Sequence, residues 1–293
     1  MQRVGVLVHP TRPVQTAVEI LRRWTEACGL ELVQISAGEQ PLVAPAGEVT
    51  SCDLVVALGG DGTTLKALHA AARTATPVLS IAHGSLGILT TVTESELCAA
   101  LGRFAAGDWV ARRLPALDVS AGGTHVGWAI NDLVLARRGG TQLVVELWVD
   151  GELYVRMAGD GIVVATAVGS SAYSMAAGGA LLAAGTAALV CTPLAMHGGC
   201  APPLVVPDDR ELAIEIHPGR AGFDPEVDGF LLETEAHRFS VSSEHAYATL
   251  VAFDGARSGL PWLRERGLIR DSPRVAARAH HEPNASASAS GQR

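Results

Sequence analysis

Residues 54–68 read LVVALGGDGTTLKAL. Leu54, Val55, Val56, Ala57 and Leu58 form the uninterrupted apolar run expected of a strand buried on both faces. Gly59, Gly60, Asp61, Gly62 and Thr63 follow, and apolar residues return at Leu65 and Leu68 with helical spacing. A strand, a glycine turn and a helix start make an anion site, because the first N–H groups of the helix point outward and glycines let a phosphate come close. The acid in the middle is the unusual part. Among phosphate oxygens a carboxylate is repelled unless a cation lies between them, or unless it takes a proton from an attacking hydroxyl; both uses suggest phosphoryl transfer. The competing account has Asp61 capping a helix in a glycine turn, and spacing alone leaves both open. The turn lacks the Gly-Lys-Ser/Thr ending of a P-loop, and its glycines do not fit Gly-x-Gly-x-x-Gly.

A chain of 293 residues can hold one large or two modest domains. With 48% hydrophobic and 18% charged residues it reads as globular, which excludes general disorder. A formal charge of −8 argues against a nucleic-acid or anionic-membrane partner. Cys28, Cys52, Cys98, Cys191 and Cys200 form no C-x-x-C pair, so they read as reduced, mostly buried thiols of a cytoplasmic protein. The histidines show no H-x-H or H-E-x-x-H spacing, so no protein-built metal site is expected. The start, MQRVGVLVHP, reads as a first strand rather than a signal peptide. Residues 175–196 carry no charge and are long enough for a bilayer, but Pro193 and many Ala and Gly residues argue for a buried helix followed by a strand.

Strands are expected at residues 4–8, 32–35, 54–58 and 77–81, with helices over 14–28, after Gly60, and from a Thr93/Glu96 capping box to Phe104. That alternation argues for a parallel sheet with helices on its faces and a ligand at the carboxyl ends of its strands. After Asp108 the pattern becomes strands at 110–120, 125–136, 143–149, 153–157, 204–206, 212–216, 239–241 and 247–253, with Asp150-Gly151 as a hairpin turn. The fold class is therefore an α/β, Rossmann-like N-terminal domain (1–108) plus a β-rich C-terminal domain (109–254). A helix within 255–271 is expected to pack back on the N-terminal domain, and 272–293 reads as a flexible tail.

Two further stretches carry polar side chains in apolar surroundings. Asn131 and Asp132 interrupt a strand-like run; either the strand ends there and both line a site for hydroxyls or a base, or they form an Asx turn or bulge. Residues 159–179, GDGIVVATAVGSSAYSMAAGG, run from a strand through a glycine-serine turn into small residues, with Tyr173 offering a flat face and a hydroxyl. The pattern is not the Gly-x-Ser-x-Gly of a hydrolase elbow.

Taken in order, these segments resemble the NAD kinase family. Gly59 to Thr63 matches the Gly-Gly-Asp-Gly-Thr signature that this family shares with diacylglycerol kinases, and His83 to Ile88 is similar to its Asn-x-Gly-x-Leu-Gly-Phe-like loop. Asn131-Asp132 resembles its Asn-Glu pair, and Asp160 to Tyr173 its Asp-Gly…Thr-Gly-Ser-Thr-Ala-Tyr-like run. Residues 192–207 are similar to its Thr-Pro…His…Pro-Leu-Val-x-Pro stretch. The departures are His83 for Asn, Ile88 for Phe, Asp132 for Glu, and Ala167-Val168 for a Thr-Pro-type pair, all toward the acceptor side.

The resemblance implies an NAD kinase-like fold and transfer of a phosphoryl group from ATP, or polyphosphate, to the 2′-hydroxyl of the adenosine ribose of NAD. It makes Asp61 the base on that hydroxyl. Gly59, Gly60, Gly62, Thr63, His83, Asn131, Asp132, Asp160, Ser171, Ala172 and Tyr173 become substrate-binding residues, Mg²⁺ arrives with ATP, and a homodimer or homotetramer is expected. Two alternatives stand beside it: the same chemistry on another hydroxylated small molecule, and a non-catalytic nucleotide-binding regulator.

Overall fold

The structure is a computed structural model that describes residues 1–254 except 37, 39, 85, 86, 91 and 221, together with 263, 264, 267 and 269–273. Residues 1–256 form one compact unit and residues 257–293 a second. In the second, Leu263 is buried and Arg264 pairs with Asp271 at 2.5 Å. Of the expected helix within 255–271 only residues 263, 264, 267 and 269–271 are described, and of the tail from 272 only 272 and 273.

The first unit opens with β1 (Arg3–Val8), α1 (Gln15–Ala27), β2 (Glu31–Ile35), β3 (Ala46–Gly47), β4 (Leu54–Gly59), α2 (Asp61–Ala72), β5 (Val78–Ala82), β6 (Val92–Thr93) and α3 (Leu97–Ala105). The strands pair in parallel in the order β3-β2-β1-β4-β5, with Val4 opposite Leu54 and Val8 opposite Leu58. Alternate residues serve two cores. Val4, Val6, Leu54, Val56, Leu58 and Ile81 pack under α1 and α3, while Leu7, Val55, Ala57 and Val78 pack against Leu65 and Leu68 of α2. Helices on both faces are why residues 54–58 admit no polar position. The Thr93/Glu96 capping box forms, one short 3-10 turn ahead of α3.

The chain continues through β7 (Val110–Ala121), β8 (Thr124–Ala129), β9 (Asp132–Arg137), β10 (Leu143–Val149), β11 (Glu152–Gly159), β12 (Gly161–Ala165), α4 (Tyr173–Ala176), β13 (Ala188–Leu194), β14 (Leu204–Pro207), β15 (Leu212–His217), β16 (Phe223–Val227), β17 (Phe230–Leu231) and β18 (Arg238–Ala252). β18 joins the two halves: its first part pairs with β15, its second with β5, and β7 runs antiparallel along both, giving one 12-stranded sheet. A six-stranded antiparallel sheet, β14-β13-β12-β9-β16-β17, packs on it through Leu133, Leu135, Ile162, Ile214 and Phe239.

Four local expectations are corrected. Residues 125–136 are two strands in different sheets, because the chain crosses from the large sheet to the small one at 130–131. Residues 239–253 hold one strand rather than two, since β7 carries the ladder past the polar 242–246 stretch with an irregularity between Glu244 and Ala248. The run 175–196 holds no long buried helix: α4 ends at Ala176, Gly178 and Gly185 take positive φ, and residues 183–187 are exposed. No helix among the described residues is long and apolar enough to cross a membrane. Cysteines are not mostly buried either, for only Cys191 is, and burial pushes its thiol up to about 12.

Candidate active site

The parallel strands run outward one way through β1, β2 and β3 and the other way through β4 and β5, so the order reverses between β1 and β4. Such a switch point opens a crevice at the carboxyl ends of the two strands. Here a cleft of ≈ 320 Å³ lies there, lined by His9, Arg12, Gly60, Asp61, Gly62, Thr63 and Lys66 among others. A methyl group at Gly60 or Gly62 would meet nothing within 4 Å, so the floor is open, whereas one at Gly59 would lie 2.2 Å from Thr63 Oγ1. Helix α2 starts at Asp61; the Thr63 and Thr64 N–H groups donate to the Gly60 carbonyl at 3.1 and 3.0 Å, and those of Asp61 and Gly62 precede the first bond of the helix. Thr64 Oγ1 anchors that start, lying 3.1 Å from the Gly60 carbonyl and 2.6 Å from Ser80 Oγ.

Asp61 is not the cap, since Gly60 occupies that position. Its carboxylate reaches across to the chain after β5: Oδ2 accepts the Ile88 N–H at 2.8 Å, and Oδ1 accepts the Leu89 N–H at 3.1 Å and the Thr90 hydroxyl at 3.2 Å. A methyl on Gly87 would stand 1.8 Å from Oδ1, so only glycine allows this approach. A carboxylate has about four lone-pair sites, and one on Oδ2 remains for a further donor. Cations surround the cleft. Burial, then the charges of Arg12, Lys66 and His83, hold His9 below the usual histidine range, and its Nδ1 accepts the N–H groups of Thr11 and Arg12 at 3.2 and 3.1 Å.

A second assembly forms where β8 ends and β9 begins. The N–H groups of Ile130, Asn131 and Asp132 have lost a strand partner, and all three donate to Asp228, at 2.8, 2.7 and 3.1 Å. Asp228 and Gly229, with φ of 51° and 77°, are the two-residue turn between β16 and β17, which directs the acid inward; its side chain is wholly buried. Its Oδ2 also lies 2.6 Å from Nε2 of His69 on α2, and His69 Nδ1 lies 2.9 Å from the Tyr247 hydroxyl. The helix that begins with Asp61 is thereby tied to the segment that carries Asn131 and Asp132. Asp132 is 6% exposed; burial first, and then the Asp228 charge, push its carboxyl up to about 7 against the Tyr173 N–H, which pulls it down. Residues 166–169 lock onto the same break: Thr166 Oγ1 donates to the Ile130 carbonyl at 2.6 Å, and a methyl on Gly169 would sit 1.9 Å from the Asn131 carbonyl oxygen.

Asp160 and Tyr173 line another cleft, of ≈ 520 Å³, where Arg137 Nε donates to Asp160 Oδ1 at 2.5 Å. Ser171 spends its hydroxyl on the Val168 carbonyl at 2.9 Å, and Ala172 forms the corner before α4. His83 braces the rim of the first cleft: its Nδ1 lies 2.9 Å from Glu94 Oε2 and its carbonyl accepts from Arg12 Nη1 at 2.6 Å. Ser85 and Leu86 of its loop lie outside the described residues. Sequence reasoning missed His9, Arg12, Lys66, His69 and the inward acid of Asp228. One signal was legible: of 22 basic residues Lys66 is the sole lysine, and it follows Thr63 by three positions on α2.

Comparison with known proteins agrees with this architecture. Residues 4–109 match the family model of the ATP-NAD kinase N-terminal domain, and residues 130–230 that of the C-terminal domain. An NAD kinase of Chlorobium luteolum is 32% identical over 286 residues, 90% of this chain and 98% of the relative. One from Pseudomonas aeruginosa is 39% identical over 177 residues, and the match spans 59% of each of the two chains. Yeast NADH kinase, solved with NADH, shares the fold at TM-score 0.78 and 21% identity, covering 93% of this chain and 89% of its own. An NAD kinase from Archaeoglobus fulgidus, solved with ATP, does so at 0.70 and 22%, covering 86% and 94%. With both domain models matched in order, and a relative aligned along nearly its whole length, the chain belongs to the ATP-NAD kinase family.

Proposed function

We propose that the protein transfers the terminal phosphoryl group of ATP to the 2′-hydroxyl of the adenosine ribose of NAD, giving NADP. The observation that carries this is the Asp61 carboxylate, held by three donors at the switch-point cleft with a lone pair left over. In this reading that lone pair accepts the ribose hydroxyl proton as the oxygen forms its bond to the terminal phosphorus, and the bond to the bridging oxygen breaks to release ADP. Phosphoryl transfer depends chiefly on positioning and charge, which the α2 N–H groups, Arg12 and Lys66 supply. Tyr173 and Asp160 take the acceptor dinucleotide, and Asn131 and Asp132 are set by Asp228 to meet its hydroxyls or base.

Mg²⁺ arrives on the nucleotide. Among the described residues no three His, Cys, Asp or Glu side chains gather into a metal site. A cation that keeps much of its water and binds through the nucleotide's own phosphates needs no such cage, which leaves the free Asp61 lone pair for the hydroxyl proton. When bound, it neutralises charge on the phosphate oxygens. We place the reaction in the cytoplasm, carried out by a homodimer or homotetramer. The test is NADP formation from purified protein, Mg²⁺, ATP and NAD. Asp61→Asn is expected to cut kcat by about 10²–10⁴ with the melting temperature within a few degrees of wild type, as for loss of a general base; unchanged turnover would remove Asp61 from the reaction.

A further inference from the structure

We propose that the cleft between Trp128, Tyr247 and Phe230 receives the base of the phosphoryl-donor nucleotide, with Lys66 reaching back to its phosphates. This rests on the kinase reading above and adds where the donor lies. The cleft measures ≈ 380 Å³ and is lined by Lys66, His69, Trp128, Val227, Phe230 and Tyr247 among others. Lys66 also lines the switch-point cleft that holds Asp61 and the glycine turn. Thr63, Lys66 and His69 follow one another at three-residue spacing along one face of α2. Eight residues separate Asp61 from His69, about 12 Å along the axis. That span is of the order of a nucleoside triphosphate from its terminal phosphate to its base.

The chemistry of the two ends suits the two ends of such a ligand. At one end stand helix N–H groups and the cationic side chains of Arg12 and Lys66. At the other, the Trp128 and Tyr247 rings stack at 5.6 Å and 30°, and Phe230 is 47% exposed with Lys66 Nζ 5.9 Å from its ring centre. Aromatic faces accept any base, and a neighbouring cation strengthens the stack. The acceptor residues Asp160 and Tyr173 line a different cleft, which shares none of its described lining residues with this one.

The test uses full-length protein and Phe230→Ala, chosen because that side chain is exposed and its loss leaves the core intact. Calorimetry measures binding of Mg-ATP and of inorganic tripolyphosphate, which keeps the phosphates and lacks the base, and kinetics give KM for ATP and for NAD. Expected are a roughly tenfold weaker Kd and higher KM for ATP, of the size of one base stack, with tripolyphosphate binding and KM for NAD unchanged. Equal weakening of both phosphate ligands, a rise confined to KM for NAD, unchanged ATP affinity, or no ATP binding to the wild type would each overturn the proposal. A wild type that binds ATP yet forms no NADP would sink the NAD kinase reading, while the contrast between ATP and tripolyphosphate would still judge the cleft.

Discussion

Replacing Asp132 by asparagine is expected to stabilise the protein more at pH 8 than at pH 5. The Asp132 carboxyl is pushed up from 3.8 to about 7 by burial and by the charge of Asp228. Between those two values the folded protein holds a proton that the unfolded chain has released, so stability falls as pH rises through this window. The contribution is complete below pH 3.8 and gone above about pH 7. At about 1.4 kcal/mol per unit, the loss between pH 5 and pH 8 is about 2.6 kcal/mol. With an unfolding entropy of about 2.1 cal/mol/K per residue over the whole chain, that is about 4 °C in Tm. The asparagine side chain has no charge to lose, and its carbonyl oxygen can still accept the Tyr173 N–H. The Tm of Asp132→Asn minus that of wild type should therefore be about 4 °C more positive at pH 8 than at pH 5. Taking the difference cancels the titrating groups that are not coupled to Asp132, and differential scanning calorimetry across the range measures it. A difference that is flat with pH, or that shrinks as pH rises, refutes the argument.

Two further outcomes follow from contacts at the site. Asp228→Asn puts an amide N–H₂ where backbone N–H groups of residues 130–132 or His69 now find an acceptor, so about 3 kcal/mol of stability is expected to be lost in urea unfolding, most of it from buried donors left unpaired. An unchanged urea midpoint would mean that those donors find other partners. Gly87→Ala brings a methyl to within 1.8 Å of an Asp61 oxygen that Leu89 and Thr90 hold in place, so Asp61 must move. Its kcat is expected to fall nearly as far as that of Asp61→Asn, by about 10²-fold or more, with the fold kept; normal turnover would show that the acid's place is not critical.

Much of the first half was legible because its signals are local. An unbroken apolar run bounded by glycines, as at residues 54–62, has few ways to fold other than a doubly covered strand feeding a helix. The Asp150-Gly151 and Thr93/Glu96 pairs specify their turn and cap within four residues. The long strand β18 was harder to read, since residues 242–246 look like a loop until β7 is laid alongside them. Residues 175–196 failed for the opposite reason: their alanines and leucines suit a helix in composition, but Gly178 and Gly185 take positive φ and break it.

The sequence by itself determined the α/β start, the β-rich continuation, and an acid in a glycine turn at the mouth of a parallel sheet, because strand burial, helix starts and tight turns are written in neighbouring residues. Tertiary structure alone decided what that acid touches, which strands reverse order beside it, and that Asp228, in a turn nearly 100 residues on, gathers the backbone of 130–132 and ties it to α2. Those are contacts between segments far apart in the chain. They exist only once two sheets and a helix are packed, and no local pattern encodes which N–H groups packing will leave in need of an acceptor.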